Sequence, residues 1–538
     1  MNGKGPPFIG GRQKELSIRL QEGGREMTKN VGFCALLALA MVLFVAGPSY
    51  SRTTLTVGGN PLGIQGYVSQ SLQFSLKGDH WDTEQDINAV ISNFFVEADY
   101  KVNPNWSVYG AAMVTVDWIY QFKDGDASWK RKRFSESKSE LNVDDEWWQI
   151  LKEFHITWDP GAFFLRVGKQ RVGWGEMEVF AVNDLFNPVD QTRGFSEIEL
   201  ETLFIPIPLV RTDYSLGADL GPISDITFQF IFNPNADYIG NQGTFYGNDA
   251  AGIWAVDIVD YSLVDVLGFP YRVGRQDVDL DEPDAFDSDY FEYGLRLSSV
   301  ISYNTLFSIM GFYGRANTPV STFGADFASD TFDAMGFPNF FDDEGIPIFN
   351  FKDTGSYPRQ KFVGFALASQ VPMRITFLGG VEPVVRLEGS YQFDNRFFDF
   401  NRFDFVETDQ VVLGMNLDYK VRVPWQRQFF YFFLEAQYNN LMDYGHDWDI
   451  STSSIYRKYY WSFYAFVSTG YFRGELEPSL AWYALDNTNV QIITPGLTYY
   501  FSDTWQFAVK ANFFTGPDVG DWGFRHKDNL VCKVQFQF

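Results

Sequence analysis

A two-residue alternation of apolar and polar side chains constrains this chain more than any other feature. In the final ten residues, Leu530, Cys532, Val534, Phe536 and Phe538 fall on one face of an extended strand. Val531, Lys533, Gln535 and Gln537 fall on the other. The same pattern governs 411–421. There Val411, Leu413, Met415, Leu417, Tyr419 and Val421 alternate with Val412, Gly414, Asn416, Asp418 and Lys420. A strand with one apolar and one charged face needs an apolar medium on one side and water on the other.

The pattern recurs about 18 times (16 is also acceptable), at approximately 64–76, 93–102, 106–118, 150–158, 163–170, 209–217, 225–233, 290–301, 305–314, 361–371, 381–392, 409–420, 428–439, 458–470, 475–484, 490–501, 505–514 and 529–538. Connections alternate between short turns, such as Asn103-Pro104-Asn105 and Asp159-Pro160-Gly161, and long polar segments. The predicted fold is all-β: a transmembrane antiparallel up-and-down barrel with short periplasmic turns and long outer loops. Closure is required, because an open sheet edge in hydrocarbon leaves backbone groups unpaired at several kcal/mol each. The final strand, ending on Phe538, resembles the carboxy-terminal signal strand of Gram-negative outer-membrane barrels. That resemblance implies recognition by the barrel-assembly machinery.

Composition excludes several alternatives. Only 31–47 approaches a helical membrane span, while aromatic residues reach 18%, as the rims of a barrel require. A formal charge of −26 argues against nucleic acid. The two cysteines, Cys34 and Cys532, offer no disulfide framework and no Cys-based cofactor site. Lys29 followed by the apolar run 31–47, with Ser49 and Ser51 behind it, reads as a secretory signal, with Met27 as the functional start. The expected organisation is therefore a cleaved 1–51, a short periplasmic lead 52–63, and one outer-membrane barrel over 64–538.

With apolar positions outward, the inward set holds Glu97, Asp99, Lys101, Asp117, Glu153, His155, Arg166, Arg211, Asp213, Glu292, Arg296, Glu382, Arg386, Glu388, Asp418, Lys420, Glu435, Glu475, Glu477, Lys510 and Lys533. Charges are inexpensive facing water and costly facing lipid. They serve either a hydrated pore or salt-bridged filling of a wide lumen. The segment 171–208 is rich in aromatic residues, Gly and Pro, and is expected to fold inward and narrow the pore rather than form an outer flap. Candidate pore-lining and constriction residues are Arg166, Lys169, Arg171, Glu176, Asp184, Arg193, Arg211, Asp213, Glu382, Arg386, Glu388, Lys420 and Lys510. The acidic run Asp277, Asp279, Asp281, Glu282, Asp284, Asp287 and Asp289 lacks the Gly and terminal Glu of a calcium loop and reads as solvated.

Gly168-Lys169-Gln170, Trp174-Gly175-Glu176 and Asn187-Pro188-Val189-Asp190 resemble an uncharacterised group of proteobacterial outer-membrane barrels, and more loosely the alginate-export porins. A polyanion conduit implies an Arg/Lys lining, whereas the inward set here has both signs. His80, His155, His446 and His526 lack a framed nucleophile, so no enzyme and no cofactor is expected. The sequence points to a porin-like channel passing small hydrophilic solutes. Its expected surroundings are lipid and lipopolysaccharide, and a homo-oligomer is compatible. The alternatives are a scaffold or sheath for a periplasmic, export or redox partner, and a polysaccharide-export conduit.

Overall fold

A computed structural model describes residues 53–538 apart from 77–86, 123–140, 145, 197–202, 218, 243–253, 255–270, 323–325, 330, 342–344, 373–380, 400, 403, 446, 449, 451–456, 487–488, 518–523 and 526. The signal-like segment, Cys34, His80, His446 and His526 lie outside the described residues.

Eighteen strands close on themselves. In chain order they are β1 (Asn60–Ser75), β2 (Ile87–Asn103), β3 (Trp106–Asp117), β4 (Leu151–Trp158), β5 (Phe163–Gln170), β6 (Ile207–Ser215), β7 (Ile223–Asn233), β8 (Glu292–Ile301), β9 (Thr305–Arg315), β10 (Arg359–Gln370), β11 (Val384–Asp399), β12 (Asp404–Val421), β13 (Phe430–Leu441), β14 (Tyr459–Thr469), β15 (Leu476–Leu485), β16 (Val490–Tyr500), β17 (Trp505–Thr515) and β18 (Asn529–Gln537). Each pairs antiparallel with its neighbours in the chain, and β18 returns to β1, from Tyr67 opposite Gln537 to Ser75 opposite Asn529. No edge of the wall is left open at that seam.

Alternation sets which way each side chain points. Leu413 and Met415 on β12, Phe432 and Leu434 on β13, and Trp461 and Phe463 on β14 are exposed on the outside. Their neighbours Asn416, Glu435 and Ser462 are buried on the inside. On β18 the apolar Val534 is exposed while Val531, Lys533 and Gln535 face inward and are buried. Side-chain chemistry fixes the short turns as well. The Asn103 Oδ1 accepts from the amides of Asn105 (2.9 Å) and Trp106 (3.0 Å), and the Asp159 Oδ1 accepts from Gly161, whose φ of 121° suits glycine alone.

Two features escaped the sequence reading. The short lead contains a strand: Thr53–Val57 pairs with Asn60–Ile64, on the same edge of β1 as β18 and continuing the ladder beyond it. The long connections 234–289 and 315–360 are also not irregular throughout. Arg272–Asp281 and Pro347–Ser356 run parallel and, with three short strands, form a separate outer sheet. Its packing centre is aromatic, with Tyr271 stacked 4.8 Å from Phe349. Three of the acidic residues lie in a strand rather than a loop, Asp277, Asp279 and Asp281, and Asp279 pairs with Lys352 at 3.4 Å.

Candidate functional site

The connection between β5 and β6 leaves the wall and crosses the inside of the barrel. Its own polar side chains fold it first. Asp184 Oδ1 accepts from the amides of Trp174 and Gly175 (2.7 Å for the latter), and Asn187 Oδ1 accepts from Val172 (2.7 Å). Asn187 Nδ2 in turn donates to the Ile205 carbonyl at 3.0 Å, holding the outgoing and returning stretches together. Gly and Pro supply the bends, and the two Asx residues satisfy backbone groups that no strand partner reaches.

The arm then docks on the far wall. Glu388 of β11 takes the amides of Glu176 and Met177 (2.8 Å for Met177) on Oε1, and the Asn183 amide group on Oε2 at 3.0 Å. Glu435 of β13 takes the amides of Glu178 (3.0 Å), Val179 (3.0 Å) and Phe180 (2.6 Å). Apolar contacts flank this line. Trp174 is fully buried between Phe186 and the inner faces of β7 to β10, its indole donating to Gln229 at 2.5 Å. Further along, Phe195 packs edge-on against Trp254 (5.4 Å) and Phe514 (5.2 Å), and Arg193 binds Asp144 at 2.7 Å. Burial alone would lower the Arg193 guanidinium, but Asp144 and Asp117 outweigh it and hold it raised.

Charges remain beside the arm. Arg296 of β8 reaches Glu176 at 3.8 Å, and Arg386 of β11 reaches Glu178 at 3.6 Å and Asp418 at 3.6 Å. The Glu178 side chain is 54% exposed, so water-accessible space adjoins the arm. Burial pushes the carboxyls of Glu176 and Glu178 up from the usual value, with the arginines pulling the other way.

Of the other candidates, Arg166 and Arg211 are register partners on the inner face, both over the Phe164 ring at 5.1 and 5.2 Å. Arg211 pairs with Asp213 at 2.6 Å, and Arg171 lies 3.7 Å over Phe204 where the arm begins. Lys420 shares the inner face of β12 with Asp418 and is exposed, and Lys510 sits on β17 opposite Gly496 and Val531. Asp184 and Arg193 are committed to holding the arm, and Glu388 to receiving it.

Two candidates are placed differently from expectation. Lys169 lies opposite Phe154, an exposed outer-face residue. Its ammonium is bound by the carbonyls of Trp148 (3.0 Å) and Leu151 (2.6 Å) under the Trp147 ring. Strand alternation explains this, since Lys169 is odd-numbered on a strand whose inward Arg166 is even. Glu382 precedes β11, in the short connection where the Val371 amide meets the Pro383 carbonyl, and is not on a wall strand. Glu178, Asn183 and Asn317, which donates to the Leu185 carbonyl at 2.9 Å, were missing from the candidates. No local signal marks them, because their partners are more than 100 residues away.

A closed wall with an apolar outside and a charged inside defines an integral outer-membrane β-barrel. No family model matches the sequence, and no curated protein matches it. Among solved structures it is similar to OmpF of Salmonella typhi (10% identity, TM-score 0.36, covering 90% of this chain and 100% of that one). It is also similar to OccAB3 of Acinetobacter baumannii (8%, TM-score 0.46, 89% and 99%) and to the outer membrane protein OpdK of Pseudomonas aeruginosa (7%, TM-score 0.43, 89% and 98%).

Proposed function

We propose that the protein is a porin-like channel for passive passage of small hydrophilic solutes across the outer membrane of a Gram-negative bacterium. The supporting observation is the waist of the lumen, where the arm narrows the barrel and leaves Glu178, Arg386 and Asp418 beside water-accessible space. In this reading Glu176 and Glu178 from the arm, with Arg296, Arg386, Arg166 and Arg211 from the wall, set which ions pass. Charges of both signs across a narrowed aqueous path orient a polar solute without requiring a tight site.

Planar-bilayer recording on the protein purified from membranes tests this. Discrete, solute-permeable conductance steps are expected. A silent barrel that co-purifies with a periplasmic or export partner would instead support the sheath, a reading favoured by the aromatic packing of Phe195, Trp254, Phe514 and Phe524 inside the wall. A polysaccharide conduit, the looser alternative, would show block by a polyanion from the periplasmic side. Lipopolysaccharide contact, assembly through β18 and self-association belong to the same proposal.

A further inference from the structure

Five consecutive amides of the arm, from Glu176 to Phe180, end on just two wall carboxylates, Glu388 and Glu435. The wall beneath is cut back to receive it. A Cβ at Gly294 would lie 2.6 Å from Phe186 and 2.7 Å from Trp174. At Gly364 it would collide with Asn183, and at Gly414 it would come within 2.9 Å of both Met177 and Val182. These glycines sit on three different strands, β8, β10 and β12, and each faces a different stretch of the arm. None has a positive φ, so backbone conformation does not require glycine there. Asn183 and Asn317 add bonds from side chain to backbone on either side of the apolar contact, at 3.0 Å to Phe365 and 2.9 Å to Leu185.

We infer that Trp174–Phe186 is a permanent inner wall of the channel and not a gate, and that Glu388 and Glu435 are its positioning residues. A gate needs a second arrangement of similar free energy. Here withdrawal would strand two buried carboxylates, expose Trp174 and open empty space over three glycines. Buried acceptors stripped of their donors are costly, and so is an emptied apolar seat. The consequence for selectivity is specific. Glu388 and Glu435 face inward, yet their charge is spent on amides, so the solute meets Glu176, Glu178 and Arg386 instead.

This inference rests on the channel reading, and its test separates the two. In a Cys532→Ala background, Val182→Cys with Val412→Cys, two side chains of one apolar cluster in the seat, places the partners for a disulfide without adding a Cβ at a glycine. Near-complete cross-linking in intact cells, read by gel mobility, is expected whether or not the barrel conducts. If the parent is silent in bilayers the channel reading fails while the seating is still judged by that yield. Given conductance, the oxidised and reduced double variants should show the same single-channel steps. Gly414→Val and Glu435→Ala should each raise conductance at least 1.5-fold by unseating the arm. Poor cross-linking, or an oxidised form that loses opening events regained on reduction, would overturn the inference. Should Gly414→Val not assemble, the oxidised–reduced comparison still decides.

Discussion

Partial burial makes Glu176 and Glu178 hold protons more tightly than a free carboxyl, and their ion-pair partners are guanidinium groups, those of Arg296 and Arg386. Raised values mean that, as pH falls, these two acids are neutralised before exposed carboxylates are. The waist then keeps its arginines and loses their partners. Reversal potentials under a salt gradient should therefore move towards anion preference as the pH is lowered from neutral, before exposed carboxylates titrate. Glu176→Gln with Glu178→Gln should show that preference already at pH 7 and flatten the dependence. A parent whose selectivity does not change with pH would remove both acids from the permeation path. Reversing Arg166, Arg211 and Arg386 to Glu acts in the opposite sense and should shift the same potential towards cations. Lys169→Glu should not, because its ammonium is held by the Trp148 and Leu151 carbonyls and lies outside the lumen.

At the scale of elements, strands could be read from the sequence and the seat of the arm could not. A strand writes its two environments into alternate residues, so Phe163–Gln170 and Asn529–Gln537 fall where period-two patterning puts them. Ends were less defined: β11 and β12 run on to Asp399 and back to Asp404, where Val406 packs with Leu441 and Ile450 in an apolar cluster that does not follow the lipid–water alternation of the wall. The lead strand Thr53–Val57 is exposed throughout and is held by backbone pairing to β1, which composition does not record. The arm is a harder case. Its glycines and prolines announce an irregular segment, but the acceptors for its amides are Glu388 and Glu435, more than 200 residues away. On sequence alone each looks like one more inward acid. Removing Gly173–Asn187 should leave the wall strands intact, since the arm makes none of the ladder bonds. Single-channel conductance should then rise about two-fold or more, with heat-modifiable gel migration unchanged. An unchanged conductance in a folded barrel would place the narrowest point elsewhere, at the packing of Phe195, Trp254 and Phe514.

For the whole molecule, the wall has to solve one problem eighteen times: satisfy every backbone group internally while presenting lipid with carbon and the lumen with polar groups. The seam shows the solution closing, with Lys533 facing the lumen opposite Ser71 while Val534, its neighbour, is exposed outside. Inside, the lumen is not an empty cylinder, because Trp174, Phe186, Phe312 and Phe362 form an apolar core against the wall, as in a soluble domain. The barrel therefore has two apolar surfaces with different fates, one stabilised by lipid and one by the arm. A membrane-confined photoreactive probe distinguishes them. Leu413, Met415, Leu434 and Phe463 should label heavily, and Asn416, Asp418 and Glu435 should not. Trp174 and Phe362 should stay unlabelled although they are as apolar as the outer belt, since the wall separates them from the bilayer. Equal labelling of Leu417 and Asp418, or a protein that stays soluble without detergent, would mean that the wall does not divide lipid from water. Selective labelling of Trp174 would mean instead that the arm lies outside the barrel.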